Sequence, residues 1–146
     1  MGVLHCYLTS NKARVTDRAA VLRVLEDYFY QCDIDVQGEE GSAAGTIGFS
    51  SGEGGPDAVR YEDYDLPEDE DEEFDALSDH QDEDGERGFV KLLREVAPYL
   101  ETPLTVQAVS YWNDGFPIWA REWHVRPGAE EVEFNSFKHS EDEGEA

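Results

Sequence analysis

Glu122 and His124 form the closest approach to a catalytic pair in this chain. They stand two apart in a segment, 116–126, that is rich in aromatic and β-branched residues and is typical of a strand. Because successive strand side chains point to opposite faces, a spacing of two puts the carboxylate and the imidazole on one face. A carboxylate beside an imidazole is the minimum for acid–base catalysis. We therefore take this pair as the only catalytic candidates.

A β-hairpin has to position the pair. The segments 104–112 and 116–126 flank Asn113-Asp114-Gly115, and Asp-Gly is a strong signal for a two-residue hairpin turn. A three-residue turn would set Val106 against Glu122, which separates apolar from polar residues less well. The two-residue turn predicts these cross-strand pairs: Asn113 with Phe116, Ser110 with Trp119, Val106 with Trp123 and Leu104 with Val125.

One face of this hairpin is predicted to be polar and to carry the site. Its predicted members are Thr105, Gln107, Val109, Tyr111, Ile118, Ala120, Glu122 and His124. Exposed aromatic and apolar residues beside polar groups mark binding surfaces. No nucleophile or cofactor motif accompanies the pair, so a solvated sheet face or a binding face is the simpler interpretation. We expect a non-enzymatic binding or regulatory protein whose binding residues are Gln107, Tyr111, Ile118, Glu122 and His124, with a small Glu/His enzyme as an alternative.

An acidic run from Glu62 to Glu86 contains fifteen Asp or Glu in twenty-five residues and contains no Lys or Arg. A calcium loop needs carboxylates at fixed offsets around a glycine. Aligning Gly85 with that glycine puts His80 at the first ligand position and Lys91 at the last, so the pattern fails and we expect no specific metal site. The glycine-rich part, 38–55, has no phosphate-binding motif, and no cofactor is expected.

The net charge and the choice of basic residues indicate the salt environment in which the protein works. The chain has 35 acidic and 11 basic residues, a net charge of −24, and its basic residues are eight Arg and only three Lys. This composition resembles that of salt-adapted proteins of haloarchaea. The resemblance implies a cytoplasm of molar salt, where the Debye length falls to about 3 Å and self-repulsion is screened. The alternative is a mesophilic protein with one acidic loop.

The same charge limits the partners. A surface of −24 repels nucleic acid and anionic membranes, so we expect a protein or small-molecule partner. A second alternative is a mimic of nucleic acid that blocks a DNA-binding defence enzyme, because a helix over Glu68–Glu73 would carry one charge per about 1.5 Å. Without a long apolar segment or a signal peptide, and with Cys6 and Cys32 in separate elements, we expect a cytoplasmic protein with reduced thiols.

The remaining elements define the fold. Thr16 is predicted to cap a first helix over 17–31, and a second helix is predicted from Asp84 to Pro98. The apolar face predicted for the second helix is Phe89, Leu92, Leu93, Val96 and Leu100. Strands are predicted at 3–9, 33–37, 43–49, 59–64 and 132–137.

The predicted order is β-α-β-β, acidic insertion, α-β-β-β. It favours an α+β fold, an antiparallel sheet of about five to six strands with two helices packed on one face. This layout is similar to a ferredoxin-like sandwich with extra strands. We expect a single domain over residues 1–140, with the acidic insertion at 62–86 partly disordered or a short helix, and an acidic tail at 141–146.

Overall fold

The computed structural model describes residues 4–51, 58–62, 88–112 and 117–138. Its helices are α1 (Arg18–Glu26), α2 (Phe89–Val96) and a 3-10 helix (Ala97–Tyr99). Its strands are β1 (Leu4–Ser10), β2 (Ala13–Val15), β3 (Tyr28–Tyr30), β4 (Asp33–Gln37), β5 (Gly45–Ser50), β6 (Ala58–Arg60), β7 (Leu104–Trp112), β8 (Pro117–Val125) and β9 (Glu133–Lys138).

Seven of these strands form one sheet, in the order β2-β5-β1-β7-β8-β9 with β4 paired to β5. Every pairing recorded among the described residues is antiparallel. Strands β3 and β6 pair separately. The α+β class is confirmed, while the sheet is larger than the predicted five to six strands. The additional strand β2 is only three residues long, which is too short for a periodic pattern to predict it.

Helix α1 begins and ends differently from the prediction. Its N-cap is Asp17, whose side chain accepts a hydrogen bond from the Ala20 backbone N–H at 3.1 Å. The cap is therefore one residue later than the predicted Thr16. The helix ends at Glu26 rather than at Gln31.

The reason for the early end is the run Tyr28-Phe29-Tyr30, which forms β3. Its aromatic residues suit a strand, and β6 supplies the antiparallel partner. The hydroxyl of Tyr28 also donates a hydrogen bond to Glu95 of α2. The helical spacing therefore predicted α1 correctly as far as Glu26 and was wrong beyond it, because the strand partner that overrides it lies about thirty residues away in the chain.

Helix α2 confirms its predicted apolar face. Phe89, Leu92, Leu93 and Val96 are buried on the helix. The fifth predicted member, Leu100, is also buried but lies beyond the 3-10 helix, where it bridges Val15. Pro98 lies in the 3-10 helix that follows Val96, as expected of a residue without an N–H to donate. The helix begins at Phe89, directly after Gly88, rather than at the predicted Asp84.

The two helices pack on the same face of the sheet. Alternate residues of the strands, such as Leu8, Ile47, Val106 and Trp123, form one core with the buried faces of both helices. The intervening residues point the other way and form what we call the open face: the side of β1, β7, β8 and β9 that is opposite the helices. This single-faced core is what leaves a broad sheet surface available for a site.

Several predictions fall on residues that the structure does not describe. They concern residues 63–86 of the acidic insertion, the predicted helix start at Asp84, the hairpin turn at 113–116 and the acidic tail at 141–146. Within the described part of the chain, no helix is long and apolar enough to cross a membrane.

Candidate functional site on the open face

The C-terminal hairpin pairs in the predicted two-residue register over most of its length. Thr105 lies opposite His124, and Gln107 lies opposite Glu122. The other predicted pairs in this part, Leu104 with Val125, Val106 with Trp123 and Ser110 with Trp119, are also present. Beyond Ser110 the register shifts, and Tyr111 pairs with Pro117 instead of Ile118. The shift is a local bulge, which re-aims the strand near the turn.

Four polar side chains of the open face form a connected chain. The Nε2 of Gln107 donates a hydrogen bond to Oε2 of Glu122 at 2.7 Å. The other carboxylate oxygen of Glu122, Oε1, lies 3.4 Å from Nε2 of His124. On the far side of the imidazole, Oγ1 of Thr105 lies 3.3 Å from Nδ1. The carboxylate and the imidazole are therefore held in fixed orientations by neighbours on β7.

Strand β9 completes the surroundings of the pair. It places Glu133 beside His124 and Asn135 beside Glu122. Two open depressions meet at His124, with cavity volumes of about 570 and 500 Å³; Arg126 and Glu133 line both of them. His124 therefore lines two concave surfaces together with one cationic and one acidic side chain.

An apolar row crosses the open face beside these polar groups. The pairings Tyr7 with Val109, Val109 with Ala120, and Ala120 with Phe137 align four side chains across β1, β7, β8 and β9. Tyr7 is 61% exposed, Phe137 is 56% exposed and Val109 is 37% exposed. An exposed aligned row of this kind is unlike the scattered single apolar residues of an ordinary surface.

The row is a consequence of the strand pleat. Leu8 and Ala108 are buried in the core, so their neighbours Tyr7 and Val109 must point to the open face. The hairpin pattern places Val109 and Ala120 on the polar face, but it assigns no face to Tyr7 and Phe137. Finding them required the order of the strands and the register of β1 and β9.

The five predicted binding residues are not equally described. Gln107, Glu122 and His124 are brought together by the contacts above. Tyr111 and Ile118 lie on β7 and β8, but their side chains are outside the part of the structure that is described. Their role in binding stays a prediction.

A second charged cluster lies on the other side of the molecule, where β3 and β6 meet α2. Arg60 is 2.9 Å from Glu95, 3.6 Å from Glu62 and 3.8 Å from Asp27. Partial burial raises the pKa of Glu95, and the Asp27 carboxylate raises it further. Burial is also the main cause that raises the pKa of Tyr30 nearby. A single guanidinium that faces three carboxylates has a structural explanation, because it compensates their mutual repulsion.

Metal ligands are not gathered in the described residues, where no group of three or more His, Cys, Asp or Glu side chains could hold an ion. Comparison with protein-family models, with curated proteins and with solved structures finds no match for this chain. The polar contacts and the apolar row of the open face are the features that bear on its function.

Proposed function

We propose that this protein is a non-enzymatic binding or regulatory protein that captures a partner protein on its open face. The observation that carries the proposal is the apolar row of Tyr7, Val109, Ala120 and Phe137 beside the chain of polar contacts around Glu122. An apolar strip with a polar rim is the usual anatomy of an interface between proteins.

The energetics of the row support binding. Tyr7 and Phe137 are more than half exposed, so most of their apolar surface remains to be buried by a partner. Aromatic side chains contribute large apolar areas to an interface and lose little conformational entropy there. The neighbouring Glu122 is already oriented by Gln107, so a partner would not have to immobilise it.

The test compares two double variants. Tyr7→Ser with Phe137→Ser removes the aromatic ends of the row, whereas Leu22→Ser with Tyr61→Ser removes two apolar side chains of similar exposure, 45% and 49%, outside the open face. The immobilised wild type is expected to retain a partner from native lysate in about 3 M KCl, a salt that suppresses purely electrostatic capture. The first variant should lose the partner and the second should keep it. Equal retention by both variants, or none by the wild type, would contradict the proposal.

The wider setting of the proposal comes from composition and layout. The net charge of −24 supports a working environment of molar salt, in the cytoplasm of a salt-adapted cell, and argues against nucleic-acid partners. The predicted relation to a ferredoxin-like sandwich, with residues 62–86 as an insertion in one domain of residues 1–140, remains part of the proposal.

A second candidate function is acid–base catalysis at His124. The observation that favours it is the succession of a hydroxyl, an imidazole and a carboxylate, with contacts of 3.3 and 3.4 Å, between two open depressions. A general base needs to be held by such neighbours within reach of its substrate. Hydrolysis of p-nitrophenyl acetate by the wild type should then exceed that of a Glu122→Gln, His124→Ala variant. Equal rates for the two proteins would dismiss this candidate.

A further inference from the structure

The dimensions of the apolar row match one kind of partner surface. The row crosses four adjacent strands, and strands lie about 4.8 Å apart, so it extends for about 14 Å. An α-helix rises 1.5 Å per residue, and apolar residues at spacings of three, four and seven cover about 10 Å of one helix face. A helix of about three turns, laid across the strands, therefore follows the row from Tyr7 to Phe137.

The polar groups lie where the flanks of such a helix would be. Glu122 lies two residues after Ala120 on β8, about 7 Å from the row. Glu133 lies beside His124, which is a further two residues along β8. A helix with its side chains has a radius of about 5–6 Å. Its apolar face would contact the row, and long side chains on one flank would reach the carboxylate of Glu122.

The charge of the open face determines the sign of those flanking side chains. Its described residues on β1, β7, β8 and β9 include Glu122 and Glu133 and no Lys or Arg. Arg126, which follows β8, lines the depressions beside His124 and Glu133, whereas Glu122 is nearer to the row. Both oxygens of Glu122 are positioned by Gln107 and His124, which leaves a fixed negative group at the edge of the row. Long basic side chains complement it, and an acidic helix would be repelled.

We infer that the open face binds a basic amphipathic helix of a partner protein, laid across β1, β7, β8 and β9 with Lys or Arg side chains over Glu122 and Glu133. The inference rests on the proposed function and names its partner class. A second copy of this chain fits less well, because it brings the same carboxylates, Glu122 and Glu133, to the contact. A strand added to the edge of β9 would extend the sheet and leave the row uncovered.

Two synthetic peptides of identical composition test the inference. One has fourteen residues of Leu and Lys in helical order, LKKLLKLLKKLLKL, and the other has the same residues in largely alternating order, which favours a strand. Each peptide carries a fluorophore, and anisotropy is measured with the full chain in about 1 M KCl, where screening reduces general attraction to the acidic surface. The helical peptide should bind at least about tenfold more tightly than its isomer.

Variants then locate the contact. Tyr7→Ser with Phe137→Ser should lower the affinity for the helical peptide at least about tenfold, and Leu22→Ser with Tyr61→Ser should leave it unchanged. Glu122→Gln with Glu133→Gln should weaken binding and reduce its salt dependence. The matched charge change, Asp33→Asn with Asp35→Asn on the exposed side of β4, should not. Circular dichroism of every variant confirms that it is folded.

The outcomes separate the inference from the proposed function. Equal affinity for both peptides, no binding by either up to about 1 mM, or a helical complex unaffected by the Tyr7 and Phe137 changes would overturn the helix as partner. If the lysate partner is nevertheless lost with those two changes, the proposed function stands without a helix. A dimer of this chain that dissociates with the same changes would identify a second copy as the occupant and would also overturn the inference.

Discussion

Gly88→Ala is the substitution whose effect follows most directly from the structure. Gly88 precedes α2 and lies against β6, and a β carbon built on it would be 2.1 Å from the carbonyl oxygen of Ala58. Carbon and oxygen atoms that only touch are about 3.3 Å apart or more. The methyl group of alanine would therefore force α2 and β6 apart by about 1 Å.

The surroundings cannot absorb that movement cheaply. Ala58 is 8% exposed and Phe89 is 3% exposed, so both sides of the contact belong to the packed core. Inserting a methyl group into a packed interior costs about 1–3 kcal/mol. For a chain of this size, about 3 °C of melting temperature is lost per kcal/mol, so the midpoint should fall by about 3–9 °C.

Gly48→Ala is the matched control. At this position the nearest atoms to an added β carbon are Cγ of Lys12 at 3.6 Å and the Asn11 carbonyl oxygen at 3.9 Å, which are ordinary contacts. Alanine at position 48 should keep the stability of the wild type or raise it by up to about 1 kcal/mol. Guanidinium unfolding followed by circular dichroism compares the two variants at constant KCl. If Gly88→Ala unfolds at the same denaturant concentration as Gly48→Ala, the contact between Gly88 and Ala58 is wrong.

Three further outcomes are expected. Glu95→Gln should change how stability depends on pH. Because the folded pKa of Glu95 is raised, its contribution to stability is present at low pH and is lost as the pH rises through the folded pKa. The advantage of the wild type over the variant should therefore shrink as the pH is raised. A constant difference across unfolding curves at several pH values would refute this. Leu93→Ala, at a fully buried position, should lower the free energy of unfolding by about 2–5 kcal/mol; a loss below 1 kcal/mol would contradict the burial. Arg18→Met removes the bonds from one guanidinium nitrogen to the Glu39 and Ser42 carbonyls, both at 3.1 Å, so amides of 38–45 should exchange faster while global stability changes by less than about 1 kcal/mol. Unchanged exchange of these amides would show that Arg18 does not hold that loop in place.

Elements whose signals are local follow from the sequence alone. The apolar face of α2 repeats at helical spacing, and its four predicted members on the helix are buried, as is Leu100 beyond the 3-10 helix. The register of the hairpin followed from the turn residues and from the separation of apolar and polar faces, which placed Gln107 opposite Glu122 and Thr105 opposite His124. Those two pairs are the contacts that orient the candidate site.

Features that depend on distant partners become visible only in the folded chain. Tyr28-Phe29-Tyr30 continues the helical spacing of α1, yet it forms a strand because β6 is there to pair with it. The apolar row is the other case. Tyr7 and Phe137 are 130 residues apart in the chain, and they share a face only because β1 pairs with β7 and β9 pairs with β8. Each strand's alternation is local, but the alignment of four strands into one exposed row is set by sheet order, which no single segment encodes.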